Sequence, residues 1–416
     1  MALMSENEAK ELGLYTRVSE MEPMLVENGE LEDLAASILE GSAALSAILP
    51  DQTRSGLQEM LRIVNSYYSN LIEGNSTHPI DIERATRKDY SGDPAKRNRQ
   101  IESVAHIECQ RAIESRLAAE PEVPITSPDW LCWVHKCFYD QLPDELRQVK
   151  NEETSETLEV VGGEPRERDV RVSRHVGPAS AFMPRFLDRY HEVYGRRMHG
   201  ISPIIATAAA HHRLMWIHPF LDGNGRVARL CTDASFRKLL KGYGVWNVSR
   251  GLARRRDAYY TALANADAPR QGDLDGRGNL SKKGLEDFIK FFLEICLDQI
   301  EYMRSVLRID GLLDRLNGYV TLRQLGMAPY PPDAQKLRPQ AAYLLQEVLI
   351  RGEVSRGDVS RITGLGDRLG RSLVSSLVKE RLLVSPMPQG GLRLGFPSHA
   401  VEYYFPGLFP PTGGVA

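Results

Sequence analysis

From Leu31 to about Leu117 the apolar residues recur every three or four positions, as at Leu57, Met60, Leu61, Val64 and Tyr68. That spacing puts them on one side of an α-helix. The pattern breaks at Gly74-Asn75-Ser76-Thr77-His78-Pro79, where glycine, small polar residues and proline cannot continue a helix, so one helix ends at about Glu73. Between Thr157 and Val176 the period shortens. Leu158, Val160 and Val161 precede a Gly162-Gly163-Glu164-Pro165 turn, and Val170, Val172 and Val176 follow it, which predicts a β-hairpin. An isolated hairpin is marginal, so this one must lean on a helical body, and its free edge can hold an extended peptide.

Helical periodicity resumes over Ile201 to Ile217 and Arg226 to Leu240, on either side of a glycine-rich segment. Ala266 to Lys283 is polar and reads as a loop. Gly284 to Leu307 follows as a long helix with Phe288, Phe292, Ile295 and Gln299 on one side. After Leu325 the prolines Pro329, Pro331 and Pro332 make a stiff connector. Arg338 to Leu349, Ser355 to Thr363 and Gly366 to Glu380 then read as three helices, and Leu382 to Pro386, a Gly390-Gly391 turn and Leu392 to Leu394 as a small hairpin. Three helices and a hairpin make a winged helix. The expected fold is mainly α, in three parts: a helical region over 1–110, a helical body with a β-hairpin over 111–310, and a winged-helix domain over 325–400. A chain of 416 residues is long enough for this division.

With 52 Lys and Arg against 55 Asp and Glu, the net charge of -3 argues against an overall nucleic-acid coat or a polybasic membrane anchor. From Gly311 onward, however, 12 basic side chains stand against 8 acidic ones. Arg368 and Arg371 on the third helix, with Arg381 and Arg393 near the wing, allow DNA binding through 325–400 as well as a protein-protein role. The five cysteines are odd in number and scattered through apolar helical stretches, which argues against a disulfide framework. His106 with Cys109, and Cys132, His135 and Cys137, lack metal-site spacing and read as core residues. Met1 to Leu12 lacks a basic start and an apolar run, and no long uninterrupted apolar stretch follows. A soluble cytoplasmic protein with no membrane partner is expected.

The densest chemistry lies in His218-Pro-Phe-Leu-Asp-Gly-Asn-Gly-Arg-Val-Ala-Arg229. Gly223-Asn224-Gly225 stands just before a helix, where unpaired N–H groups face outward and glycine permits the close approach an anion needs. Arg226 and Arg229 share a helix face and can pair with further phosphate oxygens. Asp222 adds one carboxylate beside the phosphates, which suits Mg2+. His218 is the side chain best matched to taking a proton from a hydroxyl near neutral pH. Taken singly, each feature has an ordinary reading: a His-Pro turn, a tight loop, a solvated pair of arginines. Their conjunction within twelve residues assembles one site.

The segment resembles the Fic signature His-x-Phe-x-(Asp/Glu)-Gly-Asn-Gly-Arg-x-x-Arg at every position, and weaker flanking similarity extends over roughly Leu57 to Met303. The resemblance implies a Fic-type helical bundle with a hairpin flap that holds the target by strand addition. It also implies transfer of AMP from ATP to a Ser, Thr or Tyr hydroxyl of a target protein or of the chain itself. His218 is then the general base, Phe220 an anchor for the loop, and Asp222 the Mg2+ ligand. Gly223, Asn224 and Gly225 hold the α- and β-phosphates, Arg226 the β/γ side and Arg229 the γ-phosphate. Gly225 separates the chain from the related death-on-curing toxins, where lysine is typical. Ser69-Asn70-Leu71-Ile72-Glu73-Gly74 resembles the family's inhibitory pattern on a helix expected at about 56–73, which implies that Glu73 pairs with Arg229 and withholds it from ATP. The same glutamate can orient water for AMP removal in some members. The alternative is a DNA-binding regulator whose Fic domain senses nucleotide. Self-association is open under either reading.

Overall fold

The computed structural model describes residue 9 and residues 13–150, 156–172, 175–328 and 334–409. Apart from Ala9, the stretch Met1 to Leu12 lies outside the described residues, as do the connector prolines Pro329, Pro331 and Pro332. The N-terminal third forms α1 (Gly29–Ser46), α2 (Asp51–Ile72), α3 (Pro79–Ala85), α4 (Pro94–Ala119) and α5 (Pro128–Tyr139). The side chains of Asn28, Asp93 and Ser127 accept first-turn N–H groups of α1, α4 and α5. Proline opens α4 and α5, where its missing N–H costs nothing. The helix expected from about 56 starts earlier, at Asp51. It stops as expected, because Gly74 takes φ +88 and the Asn75 N–H turns back to the Asn70 carbonyl. The expected boundary between 110 and 111 falls inside α4, a continuous helix that packs on both α2 and α5.

The β-structure departs from the expected single hairpin. β1 (Gln148–Lys150) pairs antiparallel with β2 (Thr157–Glu159), and β3 (Arg171–Val172) with β4 (His175–Val176). The segment after β2 does not turn back on itself because it is held sideways on α5. Val160 is buried with Phe138 and Tyr139, and the Gly163 N–H donates to Nδ1 of His135 at 2.8 Å.

The body continues with α6 (Met183–Tyr194), α7 (Ser202–Ile217), α8 (Asn224–Leu239), α9 (Val248–Arg254), α10 (Arg256–Ala266) and α11 (Lys282–Val306). α7 is buried on nearly every face, and its buried His211, His212 and Arg213 are hydrogen-bonded within the protein. α11 is capped by Ser281, buries the predicted Phe288, Phe292, Ile295 and Gln299, and packs on α1, α7, α9 and α10. Among the described residues, no single helix is long and apolar enough to cross a membrane.

The C-terminal part consists of α12 (Ile309–Leu325), α13 (Ala341–Arg351), α14 (Val359–Thr363), α15 (Asp367–Lys379), β5 (Leu383–Val384), β6 (Arg393–Leu394) and α16 (Ser398–Tyr404), with β5 and β6 antiparallel. α12, which the sequence pattern did not separate out, is tied to the end of α15 by a buried Arg323–Glu380 ion pair at 2.6 Å. This part shares its apolar core with the body: β6 lies on α2, and α16 on α3 and α12.

Candidate active site

α7 ends at His218, which takes the left-handed conformation (φ +50, ψ +61), and α8 begins at Asn224 after Gly223 at φ +77. The intervening loop is closed by Asn224, whose side chain donates to the Phe220 carbonyl at 2.8 Å and accepts the Phe220 N–H at 2.9 Å. Phe220 is fully buried and stacks on His135, with ring centroids 3.9 Å apart. Because Nδ1 of His135 accepts the Gly163 N–H, its Nε2 carries the proton that points to the Asp222 carbonyl at 3.3 Å. His135 is thus a support beneath the loop, and both its nitrogens are engaged within the protein.

His218 directs Nδ1 to the Met215 carbonyl at 3.3 Å, which assigns the proton there and leaves Nε2 as a lone-pair acceptor. Burial and, next, the nearby His175 pull the imidazole down to about 4, so it is neutral at pH 7. It lines a cavity of about 710 Å³, with Tyr15, His175, Trp216, Tyr260 and Asp267 among the other walls. On the far wall Asp267 accepts from Nδ1 of His175 and Nε2 of His212, each at 3.1 Å. Burial acts against it, but those two hydrogen bonds hold the Asp267 carboxyl well below the usual range.

At the start of α8, Oδ2 of Asp222 accepts from the Tyr139 hydroxyl at 2.6 Å and from Arg226 at 3.0 Å. Burial would raise the Asp222 carboxyl; the Arg226 charge and the Tyr139 and Gly223 donors outweigh it and keep it low. Arg226 is buried over the Phe138 ring, 3.8 Å from Glu102, and its Nε and Nη1 have no hydrogen-bond partner. Buried donors left without an acceptor are costly in a folded protein unless something else completes them, and an anion at the α8 terminus does so. A methyl group at Gly223 would press on the Tyr139 ring, and one at Gly225 would overlap Oε1 of Glu73. Gly223 is thus required by the close approach of Tyr139, and Gly225 by that of Glu73.

Arg229, whose Nη1 lies beside Gly225, is held from the other side by the end of α2. Its Nε donates to Oγ of Ser69 at 2.9 Å, and its Nη2 to the Ser69 carbonyl at 3.0 Å and to Oε1 of Glu73 at 2.5 Å. Glu73 stands immediately after α2, and Arg256 and Tyr260 of α10 cap the α2 end through the Ile72 carbonyl at 2.8 and 3.1 Å. The site residues read from the sequence therefore meet, save one: His218, Asp222, Gly223, Asn224, Gly225, Arg226 and Arg229 lie on one loop and helix start, with Ser69 and Glu73 brought against them, whereas Gly74 ends α2 without touching them. Tyr139, His135, Glu102 and Arg166 also meet there and carry no local sequence signal. Of the four arginines expected to face DNA, Arg368, Arg371 and Arg381 are exposed and Arg393 is half-buried. Arg381 lies 3.7 Å from Glu83 of α3, across the joint with the body, and Arg393 pairs at 2.6 Å with Glu353 within the C-terminal part.

A neutral histidine thus stands beside the N-terminus of α8 in a mainly helical bundle. Residues 125–235 match the model of the Fic/DOC family, so the chain carries a Fic domain. Over 119 residues it is 41% identical to a protein adenylyltransferase Fic of Drosophila willistoni, and over 170 residues 28% identical to one of Nematostella vectensis. These matches span 28% and 40% of this chain, and only 22% and 36% of the length of those relatives. In fold it is similar to a Fic family protein from Desulfovibrio desulfuricans, at TM-score 0.52 and 18% identity over 90% of this chain and 98% of that one. Fic-1 from C. elegans is similar at TM-score 0.50 and 17% identity, over 68% of this chain and 74% of that one.

Proposed function

We propose that this protein transfers AMP from ATP to a Ser, Thr or Tyr hydroxyl of a target protein and that Glu73 holds it in check. The observation that carries the reading is the conjunction of a neutral His218, with Nε2 free to accept a proton, and the buried donors of Arg226 at the start of α8 that make no hydrogen bond. The names of the relatives that share the Fic domain support it. In this reaction Nε2 takes the hydroxyl proton as the oxygen attacks the α-phosphorus. The bond to the β-phosphate oxygen breaks, and pyrophosphate leaves. The glycine-lined N–H groups and Arg226 stabilise the charge that builds on the phosphates. Asp222 would hold Mg2+, whose part when bound is to neutralise phosphate charge. The β3–β4 hairpin beside His218 offers an edge for the target segment.

Glu73 and Ser69 occupy the donors of Arg229, so a triphosphate reaching the start of α8 lacks that cation until the pair opens. With α-labelled ATP, Glu73→Gly is expected to incorporate about a hundred- to a thousandfold more label than the unaltered chain, the range that one transition-state charge contact supplies. His218→Ala in that background is expected to abolish incorporation. A Glu73→Gly protein that labels no better than its parent overturns the inhibitory role, and activity that survives His218→Ala overturns the base.

A further inference from the structure

Arg166 lies outside the signature loop, yet its side chain is fully buried and reaches three separate stretches of backbone. Its Nε donates to the His218 carbonyl at 2.8 Å, Nη1 to the Arg168 carbonyl at 2.8 Å and Nη2 to the Pro178 carbonyl at 2.5 Å. Its own N–H donates to the Pro219 carbonyl at 2.8 Å. Arg168 precedes β3 and Pro178 follows β4, so the guanidinium closes the base of that hairpin and binds it to the catalytic loop. Among the described residues only Asp169 offers a countercharge, at 3.8 Å, and its carboxylate is also used by the Ser180 N–H at 2.7 Å. A buried cation satisfied mainly by carbonyls is an expensive way to fill space, since desolvation outweighs what neutral acceptors return. An apolar side chain would fill the same volume more cheaply.

The expense has a local use. His218 stands in the left-handed region, which costs a non-glycine residue about 1 kcal/mol or more and persists only where the surroundings enforce it. Two of the four hydrogen bonds from Arg166 end on the carbonyls of His218 and Pro219, and so fix the two peptide planes that follow the strained residue. The other two fix the start and end of the hairpin. Resting on the adenylyltransferase reading above, we propose that Arg166 is a positioning residue that clamps the His218 backbone to the β3–β4 hairpin, so that the imidazole and the strand edge facing the target keep one fixed geometry. The clamp touches neither the glycine-lined start of α8 nor Arg226, so nucleotide affinity and transfer rate separate in their response to its loss.

The test uses the full chain carrying Glu73→Gly, with Arg166→Met to keep bulk, Arg166→Lys to restore charge and one or two donors, and Gly177→Ala. The last is a milder perturbation, because a methyl group there would come within 2.9 Å of Nη2 of Arg166. Label transfer is measured against ATP concentration, ATP binding by calorimetry, and backbone hydrogen exchange by mass spectrometry. Arg166→Met is expected to lower the transfer rate at saturating ATP by about a hundredfold, the loss that a misplaced base about 1 Å from its station incurs, while ATP affinity stays within about threefold. Arg166→Lys should recover part of that rate and Gly177→Ala should fall between Lys and the parent. Faster exchange should be confined to about 164–180 and 217–220. A rate within threefold of the parent, an affinity that falls in step with the rate, or a lysine variant no better than methionine overturns the clamp. If the Glu73→Gly parent transfers no label at all, the adenylyltransferase reading is what fails. The exchange pattern then still decides whether Arg166 couples hairpin to loop, and exchange spread over the whole chain overturns that coupling.

Discussion

His218 is prepared for base chemistry by its surroundings rather than by its own chemistry. Burial disfavours the imidazolium first, His175 and Arg166 add repulsion, and the Met215 carbonyl and Asp222 oppose them only in part, leaving the group at about 4. A base whose affinity for protons is lowered stays active as pH falls, so the acid limb of kcat/KM, which reports the free enzyme, is displaced downward. In the Glu73→Gly background, kcat/KM for ATP is expected to stay level from pH 8 to about 5.5, with its decline set nearer 4 than the ordinary 6.5. A half-maximal value close to pH 6.5 would show that the cavity does not depress the base. Which residues were legible follows from distance along the chain. His218 to Arg229 form one local segment, so loop, helix start and charges could be read together. Tyr139, His135 and Arg166 act on that loop from 52 to 87 positions away, and nothing in their own neighbourhoods marks them. Gly163 was visible as a turn, but its service as donor to His135 depends on a helix packed beside it.

At the scale of elements, the inhibitory contact joins two unfavourable helix ends. Glu73 sits at the C-terminal end of α2, where the backbone carbonyls disfavour an acid, and Arg229 lies in the second turn of α8, near its positive end. Each placement is poor alone, and the pair offsets both. Opening it leaves Arg229, whose side chain is 2% exposed, as a buried cation short of a partner, until an anion arrives at the same helix end. Removing Glu73 should therefore lower the melting temperature of the nucleotide-free chain and enlarge the increase that ATP produces, since binding then satisfies Arg229 without displacing a rival. Ser69→Ala removes one acceptor and keeps the carboxylate, so its ATP-induced shift and its transfer rate are expected between those of the parent and Glu73→Gly. Equal ATP-induced shifts for the parent and Glu73→Gly would mean that nucleotide and carboxylate do not compete. The end of α2 could be read because glycine and proline announce it. The strand partners could not, because β2 chooses β1 through contacts with α5 that no alternation of apolar residues encodes.

At the scale of the molecule, the last described residues hold the parts together. Phe405, Leu408 and Phe409 are buried, and three helices of the body and one of the C-terminal part supply donors to the carbonyls around them. Tyr68 of α2 reaches Leu408 at 3.0 Å, Arg250 of α9 reaches Gly407 at 2.8 Å, Tyr302 of α11 reaches Pro406 at 3.1 Å, and Arg315 of α12 reaches Tyr404 at 2.7 Å. Apolar residues in a proline-rich end gave no periodic signal, which is why the sequence pattern closed the C-terminal part near 400 and missed its return onto the body. Truncating a buried leucine or phenylalanine typically costs about 2–5 kcal/mol through lost transfer energy and the cavity left behind. Phe405 and Leu408 touch the joint between the two parts, so the loss falls on their docking more than on either core. The unaltered chain is expected to melt in one calorimetric transition. Phe405→Ala with Leu408→Ala should split it, the early component falling by at least about 5 °C as the C-terminal elements come away first. Two transitions already present in the unaltered chain, or a double variant that still melts as one unit at the parental temperature, would show that the tail does not join them.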